Sequence, residues 1–301
     1  MKLKNCLASA LLSFACAAAA QTNLVRSNAS DSHDGPERSG LIDLISPPNS
    51  LQVVLNPRAS IVDRVERVHR MGGETLSLEQ INVLFEFSRN SAAREENIAA
   101  LRYLKNEVFA LLRVQALAQS NLATCFRSIV QDSAQDLVVR DYALQHMACW
   151  YGDGADKTKK TKETIQSVLI ETTTNRTRLS GTALLGLHYA SVADTTFNTN
   201  LVNRLALQII ADPSFCEASR ITAIQICAER GITYALPVID ATVRGTADSV
   251  LKASAIAAIG KLGNQADLQY LRSLDPQSYL QPAVRASVNR LSARLGPYEK
   301  F

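Results

Sequence analysis

The sequence is poor in the side chains and short motifs that mark most enzyme active sites. Only four of the 301 residues are histidines, and they lie in four separate segments, at His33, His69, His146 and His188. No predicted helix carries two of them, as a helical zinc site would favour. The G-x-S-x-G, G-x-x-x-x-G-K-[ST] and G-x-G-x-x-G motifs of nucleophilic and phosphate-binding sites are also missing. We therefore expect no metal, no cofactor, no catalytic residues and no enzymatic activity.

Signals for β-strands and for membrane spans are equally scarce. The β-branched residues recur at helical spacing, and no Asn-Gly or Gly-Gly pair joins two alternating runs. After residue 20, no apolar stretch reaches the length that a transmembrane helix needs. These absences predict an all-α protein without a transmembrane segment.

The N-terminal segment has the layout of a secretory signal peptide. Lys2 and Lys4 precede a short apolar run that ends in three alanines, and we expect cleavage between Ala20 and Gln21. Residues 1–20 are therefore predicted to be removed, which makes the protein periplasmic or extracellular. A lipid anchor on Cys16 is the competing reading, and the residues before that cysteine suit it poorly.

The charge balance argues against a dedicated nucleic-acid binder. The whole chain has a formal net charge of +4, and loss of two lysines with the signal peptide leaves +2. Nucleic-acid-binding domains are usually strongly basic, because much of their affinity comes from contacts to phosphates. We expect partners of another class.

Four cysteines remain after removal of the signal peptide: Cys125, Cys149, Cys216 and Cys227. An even number in an oxidising compartment allows disulfides. Cys216 and Cys227 fall on one predicted helix, about 16 Å apart, which is too far for a bridge. Buried free thiols are favoured, and a Cys125–Cys149 disulfide is the one bridge that stays open.

Composition divides the mature chain into three parts. Residues 21–56 are rich in Ser, Asn, Asp, Gly and Pro and predict an irregular or disordered leader. Helical patterning begins at Pro57, and residues 57–119 are predicted to form an N-terminal helical cap region. There, Ser77 followed by Gln80 predicts a capping box. Residues 120–298 predict about five pairs of antiparallel helices.

The second helices of these pairs share a sequence frame. A base recurs about every 32 to 42 residues, usually followed three residues later by a small side chain, and an acid commonly precedes it by 7 to 10 residues. A period of this length indicates stacked helical repeats. The recurring acids and bases are Asp132, Arg140, Glu171, Arg178, Asp212, Arg220, Lys252, Asp275 and Arg285.

This frame resembles HEAT repeats, in particular the short bacterial type named after phycobilisome lyases. The likeness lies in "VVRDYALQHM" (138–147), "EASRITAIQI" (217–226), "VLKASAIAAIGKLG" (250–263) and "AVRASVNRLSARLG" (283–296). The copy that follows Arg178 departs from the pattern, with Gly181 and Gly186 inside its helix. The resemblance implies a right-handed α-solenoid of antiparallel helix pairs.

The resemblance also implies a function in outline. HEAT-like proteins present a surface to protein partners, so we expect an exported interaction scaffold that binds an unidentified protein through its second helices. By the same likeness, the recurring acids and bases are expected to form a structural ladder between repeats. The iron-binding members of this class use His-Glu dipeptides, which this chain lacks. A small-ligand or cofactor-handling protein, related to the bilin lyases, is the alternative.

Overall fold

A computed structural model describes residues 50–90, 97–153, 158–274 and 279–296. The predicted signal peptide and nearly all of the predicted leader lie outside these residues, as does Asp275. The described residues belong to one compact unit, Pro47–Phe301.

The described residues form α-helices joined by short turns and two 3-10 segments, and they contain no strand. The α-helices are α1 (Ser50–Leu55), α2 (Ile61–Met71), α3 (Leu78–Arg89), α4 (Ile98–Val114), α5 (Gln119–Gln131), α6 (Leu137–Gly152), α7 (Lys159–Thr174), α8 (Ser180–Ala193), α9 (Thr199–Ala211), α10 (Glu217–Glu229), α11 (Leu236–Gly245), α12 (Ser249–Leu262), α13 (Gln265–Ser273) and α14 (Gln281–Leu295). The expected all-α class is therefore confirmed. Within the described ranges, no helix combines the length and the apolar character that crossing a membrane requires.

The helices start where side chains satisfy their first backbone N–H groups. Ser77 begins α3 with the predicted capping box: its hydroxyl accepts a bond from the Gln80 N–H at 3.2 Å, and the Gln80 amide oxygen accepts from the Ser77 N–H at 2.8 Å. Asp136 caps α6 and Asp248 caps α12 in the same way, without the reciprocal bond.

Helical structure begins earlier than the sequence predicts. Helix α1 lies within the range assigned to the irregular leader, and its Leu51 and Val54 side chains are buried. It packs against α2, so the leader prediction is wrong for residues 50–55. Pro and Asn residues flank this helix of about one and a half turns. Its two buried side chains are too few to produce a recognisable helical period in the sequence.

The helices pack in two layers. The even-numbered helices from α2 to α14 each contact the next even-numbered helix, and among the odd-numbered helices α3 contacts α5, α5 contacts α7 and α9 contacts α11. From α3 onward, each odd-numbered helix also packs against the even-numbered helix that follows it. The even-numbered helices are the second helices of the predicted pairs, and their stacking is the repeat-like order that the sequence frame indicates.

Small residues set the spacing between stacked second helices. A Cβ added to Gly260 of α12 would lie 2.6 Å from the Cβ of Ser287 in α14, and one added to Gly181 of α8 would lie 3.0 Å from the Ser219 Cα in α10. Both separations are shorter than ordinary van der Waals contact. The backbones therefore approach closely only because these positions carry no side chain.

Candidate functional site

The recurring base joins the two helices of its own pair. The Nε atoms of Arg64, Arg140 and Arg220 donate to backbone carbonyls ten residues upstream, in Val54, Val130 and Ile210, at 2.8, 2.9 and 3.2 Å. The accepting carbonyls belong to the last turn of the first helix, where carbonyls have no partner within the helix. Arg140 and Arg220 thus tie a helix end to its neighbour within the pair.

The same position is filled differently in other pairs. The Lys105 ammonium, buried in α4, donates to the Asn90 carbonyl, and in α8 the Ser180 hydroxyl donates to the Thr172 carbonyl at 3.1 Å. Arg178, which the sequence frame places here, is exposed and precedes α8. The position in this copy therefore lies two residues later than the sequence frame places it, although five residues separate the two helices here as they do before α6 and α10.

The last two recurring bases do not form the bond to the first helix that Arg140 and Arg220 form. Lys252 in α12 is half-buried and Arg285 in α14 is exposed. Neither side chain forms a hydrogen bond or ion pair with another residue of the described ranges. Both lie at the predicted positions, but within the described ranges neither bonds to a residue of a neighbouring helix.

Asp132 and Asp212 accept hydrogen bonds within their own turns, and Asp212 and Glu171 accept bonds from the preceding pair. The Asp132 carboxylate accepts from the Ala134 N–H at 2.9 Å within its own turn. The Asp212 carboxylate does the same with the Ser214 N–H at 2.9 Å and also accepts from Arg176, 3.0 Å away in the preceding pair. Bonds from Ser214 and then from Arg176 lower the pKa of Asp212 to about 2. Glu171 accepts from the Gln131 amide of the preceding pair at 3.1 Å.

Other inter-repeat rungs involve residues that the sequence frame misses. The Arg102 guanidinium in α4 donates to both oxygens of Asp136, at 2.9 and 2.7 Å, where Asp136 also caps α6. Asp194, after α8, accepts from Tyr151 of the preceding pair at 2.9 Å and from Lys162 of its own pair at 3.0 Å. The cap-forming position of Asp136 before α6 is visible in the sequence, but its arginine partner comes from another repeat.

The histidines on second helices are packed among arginine and aromatic side chains. His146 in α6 lies 3.3 Å from an Arg113 nitrogen and 3.1 Å from the Asn106 amide oxygen, and its ring packs against the adjacent rings of Phe109 and Phe126. Burial and the Arg113 charge lower the pKa of His146 to about 3. In the described ranges, no group of three or more His, Cys, Asp or Glu residues is arranged to hold a metal ion.

The four cysteines are free thiols in the structure. Cys125, in α5, is buried beside Arg89 of α3, whereas Cys149, in α6, is half-buried and near Arg113 of α4. Their side chains therefore face different neighbouring helices, and no bond joins them. Burial raises the pKa of Cys125 to about 11 and that of Cys227 to about 12, which disfavours the reactive thiolate.

One surface of the second helices remains as the candidate site, and we call it the second-helix face. It combines half-exposed Tyr103 with partly buried aromatic and aliphatic side chains and two glutamines, and its residues are Tyr103, Tyr142, Gln145, Leu185, Tyr189, Ile221 and Gln225. None of these seven side chains is charged, but charged groups border Tyr142, and they include Asp141, Arg102 and Glu107. Such a mixture of tyrosine, aliphatic and amide groups is typical of the core of a protein interface.

Comparisons with known proteins place the chain only loosely. No protein-family model matches the chain, and no curated protein matches it. Among solved structures, it is similar to human deoxyhypusine hydroxylase in complex with glycerol, at 14% identity over 81% of this chain and 95% of that chain, with a TM-score of 0.34.

The structural match overturns one expectation. The neighbour is an enzyme, so the expectation that a chain of this all-helical, repeat-like kind has no enzymatic activity is wrong as it was drawn. The likeness is too distant to assign any activity to this chain, and none of its residues is given a catalytic role by it.

Proposed function

We propose that this chain is an exported HEAT-like repeat protein that acts as a protein-protein interaction scaffold. Its helix pairs would form a right-handed α-solenoid, and the second-helix face would bind the partner. The observation that carries the proposal is the composition of this face, which brings tyrosine, aliphatic and amide side chains from successive second helices onto one surface.

The structural ties leave this surface available. The bonds of Arg140 and Arg220 run toward the first helices, and the rungs of Asp136 and Asp212 lie at the turns. Tyr142, which belongs to the face, lies near the Arg102–Asp136 rung but supplies none of these bonds. A partner could engage the face without breaking the bonds within and between pairs.

A position-specific photo-crosslinking experiment tests the proposal. Gln225 is exposed on the second helix α10, and Gln208 is exposed on its first-helix partner α9, so the two glutamines form a matched pair. Each is replaced by p-benzoylphenylalanine in the full chain, expressed in the cells that produce it. We expect a discrete adduct from position 225 and none from position 208.

The outcome distinguishes binding through the second-helix face from nonspecific crosslinking. Equal adducts from both positions, or adducts from position 208 alone, would contradict binding through the second helices. Export is tested separately by mass spectrometry of the protein's N-terminus. An unmodified N-terminal Gln21 is expected, and a retained Met1 would contradict the signal-peptide assignment.

A further inference from the structure

Asp141 is a carboxylate whose neighbours do not balance its charge. It lies in α6, half-buried against α8, and its two oxygens accept bonds from the Thr182 hydroxyl at 2.6 Å and the Gln145 amide at 2.7 Å. Both donors are neutral. Among the described residues, no arginine, lysine or histidine forms an ion pair with it.

This arrangement differs from that of three other half-buried acids of the array, each of which has a cationic partner. Asp136 is paired with Arg102, Asp212 with Arg176 and Asp194 with Lys162. A carboxylate that loses water without gaining a cation is destabilised. Burial accordingly raises the pKa of Asp141, even though the bonds from Thr182 and Gln145 act in the opposite direction.

The position of Asp141 in the repeat frame shows that the charge is not an architectural feature. It directly follows the recurring base, and the residues in the same place of the other second helices are neutral: Asn106, Gly181, Ile221 and Ala253. Those pairs stack without an acid at this place. The carboxylate is therefore particular to the contact between α6 and α8.

Two donors leave the carboxylate with unused acceptor capacity. An ionised carboxylate can accept about four hydrogen bonds, and Thr182 and Gln145 supply one each. Both donors hold the group in one orientation, while Tyr142 and Leu185 provide partly buried apolar surface beside it. A cationic side chain with an aliphatic stem matches this combination of a fixed anion and apolar walls.

We infer that the second-helix face binds a segment of a partner protein that places a lysine or arginine side chain on Asp141. The inference rests on the proposed function and deepens it by naming the chemistry of the partner. The cation supplies the missing charge, and the stem of its side chain packs on the partly buried Tyr142 and Leu185. A protein segment rather than a nucleic acid is favoured, because a lone anion repels phosphate.

The test uses short fluorescein-labelled peptide pools with degenerate apolar and polar flanks. The central residue is fixed as arginine, lysine or glutamine, and binding to the full mature chain is measured by fluorescence anisotropy. We expect the arginine and lysine pools to bind about fivefold more tightly than the glutamine pool, as for a partly solvated ion pair. Raising the salt concentration should reduce this preference.

Two variants separate the charge from the hydrogen bonds. Asp141→Asn removes the negative charge and keeps the size of the side chain, whereas Thr182→Val removes one donor and keeps the charge. Circular dichroism and thermal unfolding check that both variants fold. The preference for basic pools should disappear in Asp141→Asn and persist in Thr182→Val.

The results distinguish this inference from the proposed function. Equal binding of all pools by the wild-type chain, or a basic preference that survives in Asp141→Asn, would overturn the inference and leave the scaffold proposal standing. A failure of position-specific crosslinking at Gln225 would instead count against the scaffold proposal itself. Absence of binding by any pool would refute the inference, because the pools include the proposed cations.

Discussion

Replacing Gly260 by alanine should loosen the contact between α12 and α14. The new Cβ would lie 2.6 Å from the Ser287 Cβ and 2.7 Å from its Cα, where ordinary contact begins at 3.4 Å. Relieving the overlap requires the helices to separate, because the Ser287 Cα is backbone and cannot rotate away. Overpacking of this kind costs about 1–3 kcal/mol, whereas replacing glycine by alanine in a helix gains about 1 kcal/mol.

The net expectation is a loss of up to about 2 kcal/mol in the free energy of unfolding, with a fall in Tm of about 2–4 °C per kcal/mol. Urea denaturation and calorimetry measure both quantities. Gly245→Ala is the matched control, since Gly245 ends α11 with nothing within 4 Å of an added Cβ. The control should be neutral or slightly stabilising. A Gly260→Ala chain as stable as the wild type would refute the close packing of these two helices.

Three further predictions follow from the ties, the buried histidine and the thiols. Arg220→Met removes the bond to the end of the first helix and should lower the free energy of unfolding by about 1–3 kcal/mol, while Met at exposed Arg204 should have little effect in the same urea titration. The pKa of His146 is about 3 in the folded chain, below its ordinary value near 6.5, so the unfolded chain takes up a proton first as the pH falls. Stability should therefore decline between about pH 6.5 and pH 3, by at most about 1.4 kcal/mol per pH unit from this group, and His146→Gln should flatten the decline; an unchanged profile would contradict the assignment. In native, unreduced protein, Cys125 and Cys227 should resist alkylation and become reactive only in denaturant, and a mass showing one disulfide would contradict the free-thiol structure.

Local sequence signals predict the helices well because the causes are local. The Ser77–Gln80 capping box and the spacing of apolar residues predict α3 before any tertiary contact is considered. The recurring base at Arg140 and Arg220 marks equivalent places in successive pairs. Such signals fail where another residue type fills the position, so the sequence frame falls on Arg178, although Ser180 makes the equivalent bond.

The partners of these residues are not visible in the sequence. Arg140 and Arg220 bond to backbone carbonyls, and a carbonyl has no residue-specific signature. Asp136 reads as a helix cap, but its pairing with Arg102 depends on how α4 lies against α6. The predicted ladder of acids and bases between repeats is therefore replaced largely by ties within pairs.

The sequence by itself determined the all-α class, the pairing of helices and the places where small residues recur, because helix propensity, capping and periodicity act over a few neighbouring residues. Only the tertiary structure decided which polar side chains meet across neighbouring pairs, since those contacts join residues roughly thirty to forty positions apart. Asp141 illustrates the difference. In the sequence it is one acid beside an arginine, and in the fold it is a half-buried charge between α6 and α8 with neutral donors only.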